Sequence, residues 1–407
     1  MSPNKEMNSF TEFHGNADIV RRLREMLARD RFPHAMILAG PQGAGKYTLA
    51  LLLARAMNCQ GIGRSGDPRQ AGTGPRQGGT GQPIHGKPGQ VGRSEMPFLA
   101  ADGLPDSCGN CDNCRRIAEA EDLDARFAEA VEAREGMRDA DRRETRILVQ
   151  PHPDVLIIPP DPPQLMIKVD QVRHVNTSIR YKPVEGGRRI FIFSDAAFMK
   201  EAANALLKVL EEPPEYATIF LLARNPGELL PTLRSRSMIF TLTALPVEEI
   251  EHFLAKKRPD WNARQRQLAA RLSGGAVGRA LSLDLEQYIA ARKDALALLR
   301  SAANARDHSD LFRTTETYRS GAEGKEKTDQ LLAAVHSLLR DLLSLTSGAP
   351  ELVRNTDIAA ELKTLAGTID FNWIAQAAQQ LGQVQSGMRR NVLRPLSLDA
   401  FALALEK

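Results

Sequence analysis

The stretch His34-Ala-Met-Ile-Leu-Ala39, continued by Gly40-Pro-Gln-Gly43-Ala-Gly45-Lys46, decides the fold of this chain. The short apolar run predicts a buried strand, and the glycines that follow it predict a tight loop. The segment from Tyr47 to Asn58 then has the composition and spacing of a helix. A strand, a glycine-rich loop and a helix in this order open an α/β nucleotide-binding domain.

The loop has the residue types that bind phosphate. Gly40, Gly43, Gly45 and Lys46 match the first seven positions of the phosphate-binding loop pattern. Glycines let backbone N–H groups turn toward phosphate oxygens, the start of the helix adds positive partial charge, and Lys46 would reach the outer phosphates. We therefore expect ATP or ADP to bind here. The alternative is a loop that keeps the turn geometry and binds nothing.

The magnesium part of this site is damaged. The eighth position of the pattern should supply a Ser or Thr hydroxyl to Mg²⁺, but it is Tyr47. Thr48 lies about 100° further around the helix and does not simply replace it. After a later predicted strand, Asp195 could hold Mg²⁺, but Ala196 stands where a water-activating glutamate is expected. Alternatively, Ser194 or Asp195 merely caps the following helix. Because the general base is missing in both cases, the sequence predicts a weak or absent ATPase.

The four cysteines of the chain form a second candidate site. Cys108, Cys111 and Cys114 are spaced by two residues, and Cys59 ends the helix that follows the glycine loop. Four thiolates satisfy a closed tetrahedral Zn²⁺ site, which is a structural arrangement with no open position for catalysis. The sequence therefore predicts a zinc knuckle over 108–114. The alternative is a set of reduced, buried thiols.

The composition is that of an ordinary globular protein, with 42% hydrophobic residues, 26% charged residues and a net charge of +4. No run of 18 apolar residues is present, which excludes a membrane-spanning helix. The polar start of the sequence also lacks the apolar core of a secretion signal. We therefore expect a cytoplasmic protein with no membrane partner.

The pattern beyond the glycine loop predicts three domains. Residues 60–107 contain 12 of the 30 glycines, which predicts a disordered insertion. The highly charged segment 115–146 predicts one long, mostly solvated helix. Strands are predicted at 154–158, 189–193 and 218–222, with helices at 169–179 and 198–212. A further apolar run lies at 238–240, and only helical patterns follow from residue 245 onward. The predicted domains are an α/β domain over 1–244, a small helical domain over 245–283 and a helical C-terminal domain over 284–407.

Several motifs together resemble the delta-prime subunits of bacterial DNA polymerase III clamp loaders, which are members of the AAA+ superfamily. The strongest likeness is in Glu201-Ala-Ala-Asn-Ala-Leu-Leu-Lys-Val-Leu-Glu-Glu-Pro-Pro214 and in Leu229-Leu-Pro-Thr-Leu-Arg-Ser-Arg236. Phe32-Pro-His-Ala35, the cysteine spacing and His152-Pro-Asp154 add to it. The resemblance covers roughly residues 10–59 and 108–282.

This resemblance implies a fold and a set of partners. The expected fold is an α/β P-loop AAA+ domain with a zinc knuckle, followed by a small helical lid domain and a helical C-terminal collar domain. The family implies a five-membered ring that opens a sliding clamp and seats it on primed DNA. The implied partners are the gamma or tau motor subunits and the delta subunit, with the clamp and DNA contacted through the complex.

The resemblance also assigns a role to one arginine. Arg236 follows a predicted strand, at the place where family members direct an arginine into the phosphate site of the neighbouring subunit. By base rate, an arginine there would only form a surface ion pair. A second, phosphate-sensing arginine would occupy the place of Gly278, but here the arginine is Arg279, one residue later. The family pattern thus implies a stator whose own site fails and whose Arg236 serves a neighbour.

Two other functions remain open on the sequence. The chain could be a motor subunit of the same loader that hydrolyses ATP, although Tyr47, Ala196 and Gly278 argue against this. It could also be a zinc-knuckle protein that binds nucleic acid and retains a vestigial phosphate loop. That function needs a basic face interleaved with aromatic residues, and the residues between the cysteines provide none.

Overall fold

The computed structural model describes residues 9–61, 98–185, 187–304, 315–316, 318, 321–388 and 394–405. The chain divides into two compact units, Met1–Ala244 and Leu245–Lys407. In the described part of the chain, no helix is long and apolar enough to cross a membrane.

The first unit alternates strands and helices. In chain order it contains α1 (Ala17–Ala28), β1 (Ala35–Ala39), α2 (Lys46–Asn58), α3 (Asp112–Ala118), α4 (Leu123–Glu135), α5 (Asp139–Glu144), β2 (Val149–His152), β3 (Val155–Ile158), α6 (Val169–Ser178), β4 (Arg189–Phe193), α7 (Lys200–Glu211), β5 (Ala217–Ala223), α8 (Pro231–Arg234) and β6 (Met238–Thr241). Short 3₁₀ helices lie at Phe10–Glu12 and Pro226–Glu228. The strand and helix predicted on either side of the glycine loop are present as β1 and α2.

The strands form one mixed sheet in the order β2-β3-β4-β5-β1-β6. The pair β2–β3 is antiparallel, and every other neighbouring pair is parallel. Central strand β1 lies between β5 and β6, with Leu38 opposite Leu222 on one side and Phe240 on the other. Because the carboxyl ends of parallel strands meet at one edge of a sheet, the loops after β1, β4 and β5 lie together.

Side chains that alternate along the strands fill two apolar layers. Met36 and Leu38 of β1 join the layer formed with α1 and α2, whereas Ile37 joins the layer formed with α6 and α7. Strands that are covered on both faces have continuous apolar sequences. This burial explains why the run from Ala35 to Ala39 could be recognised as a strand, and why it is buried at all five positions.

The single long helix predicted over 115–146 is wrong. The structure has three separate helices in this region, α3, α4 and α5. The Asp122 carboxylate accepts a hydrogen bond from the Ala125 N–H at 3.0 Å and so begins α4 as a new helix, which ends before Gly136. Charge density indicates that a helix is solvated but not where it is capped. The predicted solvation does apply to α4, which has no buried residue.

The disordered insertion predicted over 60–107 is wrong at its carboxyl-terminal end. Residues 62–97 lie outside the described residues, but residues 98–107 contact the amino-terminal part of the first unit. Arg24 donates hydrogen bonds of 2.6 and 2.8 Å to Asp102, and buried Asp106 accepts from Ser9 at 2.6 Å. These partners are 78 and 97 residues apart in sequence, so glycine and proline content could not reveal them.

The second unit is helical in its described parts, as predicted from residue 245 onward. It contains α9 (Val247–Lys257), α10 (Ala263–Leu272), α11 (Val277–Ser282), α12 (Leu285–Asn304), α13 (Gly321–Thr346), α14 (Ala359–Ala366), α15 (Phe371–Met388) and α16 (Arg394–Leu403), with 3₁₀ helices at Pro350–Leu352 and Thr356–Ile358. Its buried apolar residues form one cluster between Ile250 and Leu285 and another between Ala291 and Leu405. A buried carboxylate, Asp341, accepts hydrogen bonds from two N–H groups of Asn355 at 2.7 and 2.8 Å.

A buried histidine fixes the end of β2, the antiparallel edge strand that the sequence did not predict. The His152 Nδ1 accepts a hydrogen bond from the Asp154 N–H at 3.0 Å, and its Nε2 lies 3.3 Å from a Glu185 carboxylate oxygen. Burial lowers the pKa of His152, and the charge of Arg116 lowers it further, whereas Glu185 opposes the change. The imidazole is therefore neutral in the folded chain, because protonation at Nδ1 would remove the acceptor.

This arrangement predicts a loss of stability in mild acid. Since the folded-state pKa of His152 lies below its ordinary value of about 6.5, the unfolded chain binds more protons, and stability falls as the pH drops below that value. His152→Asn keeps an oxygen acceptor near the place of Nδ1 but does not titrate. We expect its melting temperature to fall less between pH 7.5 and 5.5 than that of the unmodified chain; an equal fall in thermal unfolding curves would contradict this account.

Candidate functional site

The glycine loop after β1 has the backbone geometry that close packing requires. Gly40 and Gly45 have φ angles of +141° and +86°, in the region that favours glycine. A Cβ at Gly40 would lie 2.5 Å from the Leu242 carbonyl oxygen, and one at Gly45 would lie 2.9 Å from the Phe13 ring. Neither position accepts a side chain. The loop can therefore present its backbone N–H groups at the start of α2, as a phosphate site needs.

Lys46 lies at the first residue of α2. Its ammonium group donates hydrogen bonds to the carbonyl oxygens of Gly40 and Pro41, at 2.6 and 2.8 Å. Burial lowers the pKa of Lys46, the carboxylate of Asp195 opposes this change, and the charge of Arg224 reinforces it. Lys46 is thus a partly desolvated cation at the edge of the sheet where the loops after β1, β4 and β5 meet.

Tyr47, at the position of the magnesium hydroxyl, points away from this loop. Its ring packs against the apolar layer under α2, and its hydroxyl donates a 2.6 Å hydrogen bond to the Ala120 carbonyl oxygen. Burial, with the nearby charges of Glu121 and Asp124, raises the pKa of Tyr47. This hydroxyl is committed to a structural bond, so it is not available to a metal ion at the loop.

Two carboxylates among the described residues, those of Asp195 and Glu228, lie close enough to Lys46 to oppose the lowering of its pKa. Asp195 follows β4 and lies near Lys46, as its effect on the lysine pKa indicates. The alternative that Ser194 or Asp195 caps the following helix is wrong, because α7 begins at Lys200 after an N-cap at Met199. Ala196 is buried beside Asp195 and offers no base.

Thr48 and Arg279 are two further residues that the sequence pattern singled out. Thr48 is half-buried in the first turn of α2, one residue after Tyr47, whose hydroxyl is bonded to Ala120. Arg279 lies in α11 of the second unit, where it is exposed and lines a cavity of about 490 Å³ together with Tyr288 and Arg354.

Arg236 lies just beyond α8 at the surface of the first unit. Its side chain is 35% exposed, and its guanidinium lies 2.8 Å from a carboxylate oxygen of Glu211, at the last residue of α7. The same guanidinium donates to the Thr232 carbonyl oxygen at 3.1 Å and to the Ser235 hydroxyl at 3.4 Å. The surface ion pair expected by base rate is present. The role of Arg236 in a neighbouring subunit stays a prediction.

The four cysteines come together as the sequence predicted. Their Sγ atoms lie within 4.8 Å of one another, and those of Cys108 and Cys114 are 4.0 Å apart. A tetrahedral Zn²⁺ with Zn–S bonds of about 2.3 Å would bring thiolates to about 3.8 Å from each other. Backbone N–H groups of Cys108 and Gly61 point at the Sγ of Cys59, at 3.3 and 3.4 Å. This donor set could hold a metal ion.

The thiols of the cluster change one another's acidity. A hydrogen bond with the Cys114 thiol lowers the pKa of Cys59 to about 5, and backbone N–H groups add to the effect. The same hydrogen bond raises the pKa of Cys114, together with burial and the neighbouring thiolate charges. Burial also raises the pKa of Cys108. Thiols this close cannot all ionise unless a positive charge offsets their repulsion.

Helix α2 joins the glycine loop to this cysteine cluster. It begins at the loop and ends at Asn58, next to Cys59. Residues 108–122, which we call the cysteine module, bond along its length. Buried Arg55 donates to the Cys114 carbonyl oxygen at 3.1 Å, and the Asn113 amide donates to the Asn58 carbonyl oxygen at 3.0 Å. The bond from Tyr47 to Ala120 completes the contact.

Sequence analysis missed three parts of this arrangement. Arg224 follows β5 at the same sheet edge as Lys46, and the parallel-strand argument could have identified it. The contact of Glu211 with Arg236 joins residues 25 positions apart, and no sequence signal marks it. The sequence pattern marks Tyr47 as the loss of a magnesium ligand and gives no sign of its hydrogen bond to Ala120.

Solved structures with a distant likeness to the chain include two from Thermotoga maritima. A DNA polymerase III gamma-subunit-related protein is 22% identical, with a TM-score of 0.27, and the match covers 62% of this chain and 83% of that one. A RuvB variant is 15% identical, with a TM-score of 0.35, and the match covers 89% of each chain.

Curated relatives are subunits of DNA polymerase III. The Escherichia coli tau subunit is 26% identical over 386 residues, covering 89% of this chain and 48% of the relative. The E. coli delta-prime subunit is 32% identical over 217 residues, covering 53% of this chain and 62% of the relative. The Bacillus subtilis delta-prime subunit is 24% identical over 362 residues, covering 88% and 85%. The chain thus spans about half the length of the tau relatives that it matches.

A family model gives the assignment. The model described as "DNA polymerase III, delta subunit" matches residues 15–73 and 98–246, about half of the chain. The matched region contains the glycine loop, the cysteine cluster and Arg236. With its mixed α/β sheet and phosphate loop, the chain belongs to the delta-prime family of DNA polymerase III clamp-loader subunits.

Proposed function

We propose that this chain is a stator-like delta-prime subunit that helps a clamp loader place the sliding clamp on primed DNA during replication. The single observation that carries this proposal is an asymmetry. The hydroxyl of Tyr47 is committed to Ala120 and Ala196 provides no base, whereas Arg236 lies partly exposed at the surface. The chain therefore contributes its arginine to a neighbouring ATPase subunit and does not turn over ATP itself.

Its own glycine loop binds a nucleotide without hydrolysing it. Backbone N–H groups at the start of α2 and the ammonium of Lys46 suit the phosphates of ATP or ADP. The third N–H of that ammonium remains for a phosphate beyond the two carbonyl oxygens of the loop. Asp195, which follows β4 at this edge, could hold Mg²⁺, and Thr48 lies one residue from the usual hydroxyl position. Without a base to activate water, the nucleotide would stabilise the loop rather than react.

The cluster of four cysteines would hold a structural Zn²⁺. Cys59, Cys108, Cys111 and Cys114 provide four thiolates and leave no open coordination position. The ion would cross-link the end of α2 to α3, and so support the first unit. Two-residue spacings, the closeness of the four Sγ atoms and backbone N–H groups directed at sulfur support this assignment.

The proposed partners follow from the family. They are the gamma or tau motor subunits and the delta subunit, with the sliding clamp and primed DNA reached through the complex, in the cytoplasm. The small helical domain over 245–283 would act as a lid, and the helices over 284–407 would form the collar that holds the ring together. Similarity to tau subunits favours a second candidate, an ATP-hydrolysing motor, but Tyr47 and Ala196 are inconsistent with it.

The proposed role of Arg236 predicts a defect in the assembled loader. Arg236→Ala should lower DNA-stimulated ATP hydrolysis by the reconstituted complex about ten-fold or more, because a cation that stabilises the transferring phosphoryl group is lost. The complex should still form with unchanged mass. Arg173→Ala, which removes an exposed arginine of α6, is the matched control and should hydrolyse ATP normally. An unchanged rate with Arg236→Ala would exclude the trans role.

The structural bond of Tyr47 and the absence of a base predict that placing a serine hydroxyl at position 47 does not restore ATP hydrolysis. Tyr47→Ser should leave the isolated chain without ATP turnover, because Ala196 still provides no base. It should also lower the free energy of unfolding by about 3 kcal/mol, because it removes a packed ring and the hydrogen bond to the Ala120 carbonyl oxygen. Tyr47→Phe keeps the ring and should cost about 1 kcal/mol. Urea unfolding and an ATPase assay measure both effects, and brisk turnover by Tyr47→Ser would contradict the proposal.

The metal proposal predicts a stoichiometry. The purified chain should contain about one zinc ion, and Cys108→Ser should lose it and melt at a lower temperature. Asn110→Ala changes an exposed side chain within the same knuckle and should keep the metal. Elemental analysis with thermal unfolding decides the matter: zinc retention by Cys108→Ser would show that the cluster is not a four-thiolate site.

A further inference from the structure

We propose that Glu211 positions the guanidinium of Arg236 for its action on a neighbouring subunit. This inference rests on the proposed trans role of Arg236. A carboxylate oxygen of Glu211 lies 2.8 Å from one terminal nitrogen of the guanidinium. The other terminal nitrogen is held by the Thr232 carbonyl oxygen and the Ser235 hydroxyl. Contacts at both terminal nitrogens fix the plane of the guanidinium as well as its place.

The backbone of Glu211 belongs to a helix that is packed on the sheet. Glu211 is the last residue of α7, whose apolar face is buried through Leu206, Val209 and Leu210. The two prolines that follow Glu212 prevent the helix from continuing. A carboxylate anchored on a packed helix can hold a flexible arginine in one orientation before any partner arrives.

The local charge pattern also needs an explanation. Glu211 and Glu212 stand together at the carboxyl end of α7, where the helix dipole and their mutual repulsion disfavour two acids. Arg236 offsets this for Glu211 only, because Glu212 is exposed and has no hydrogen bond or ion pair to the described residues. The pair of acids therefore contains one that contacts the arginine and one that does not, which provides a matched control.

The contact leaves the arginine able to act. A guanidinium has five N–H groups, and the contacts with Glu211, Thr232 and Ser235 engage at most three of them. The remaining N–H groups face no acceptor among the described residues and can bind phosphate oxygens of the adjoining site. Fixing the side chain in advance reduces the freedom that is lost when the transition state forms, and so it raises the rate of the chemical step.

The ion pair is partly exposed, so its effect on the rate is modest and depends on salt. In the reconstituted loader, Glu211→Gln removes the charge without changing the size of the side chain. We expect kcat for DNA-stimulated ATP hydrolysis to fall about two- to five-fold, with an unchanged KM for ATP. The difference from the unmodified complex should shrink as NaCl screens the pair. Glu212→Gln should behave as the unmodified complex does.

A double variant separates this inference from the function on which it rests. If Glu211 acts through Arg236, then Glu211→Gln has no further effect when combined with Arg236→Ala. A normal rate with Arg236→Ala would overturn the trans role itself. A slow Arg236→Ala complex with a normal or faster Glu211→Gln complex would leave that role standing and overturn the positioning role. Equal losses from Glu211→Gln and Glu212→Gln would assign the effect to general charge, which also overturns it.

Discussion

The parallel pairing of β1 with β5 and β6 is the constraint on which the rest of this structure depends. Together with the parallel pairing of β4 and β5, it fixes which loops meet at the edge where the strands end. It therefore brings Lys46, Asp195 and Arg224 within electrostatic reach of one another. Residues from three distant segments form one candidate phosphate site for this reason. Arg236 lies at the surface in the short connection between α8 and β6, so the pairing of β6 with β1 also limits where this arginine can be.

Helix α2 connects the glycine loop to the cysteine module. The helix starts at the glycine loop and ends beside Cys59, and the cysteine module bonds to it through Tyr47, Arg55 and Asn113. Tyr47 is therefore a structural residue. Its ring packs on the apolar layer and its hydroxyl bonds to the module, at the position where the phosphate-loop pattern has a metal-ligating hydroxyl.

The accuracy of the sequence predictions followed the range of the interactions involved. Strands β1, β4 and β5 could be predicted because burial on both faces gives each a continuous apolar run. The cysteine cluster could be predicted because three of its four thiols lie within seven residues. The single helix over 115–146 was wrong, since the side chain of Asp122 caps a new helix inside it. The disorder expected at 98–107 was wrong because Arg24 and Ser9, far away in sequence, pair with its acids.

The sequence by itself determined the α/β start of the chain, the residues of the glycine loop, the presence of Ala196 after Asp195 and the cluster of four thiols. Each of these depends on residue type or on spacing along a few turns of chain, which the order of amino acids contains directly. Only the tertiary structure decided that Tyr47 bonds to Ala120 and that Glu211 holds Arg236. Those contacts join separate elements, and their energies depend on distances that exist only after the sheet and its helices have packed together.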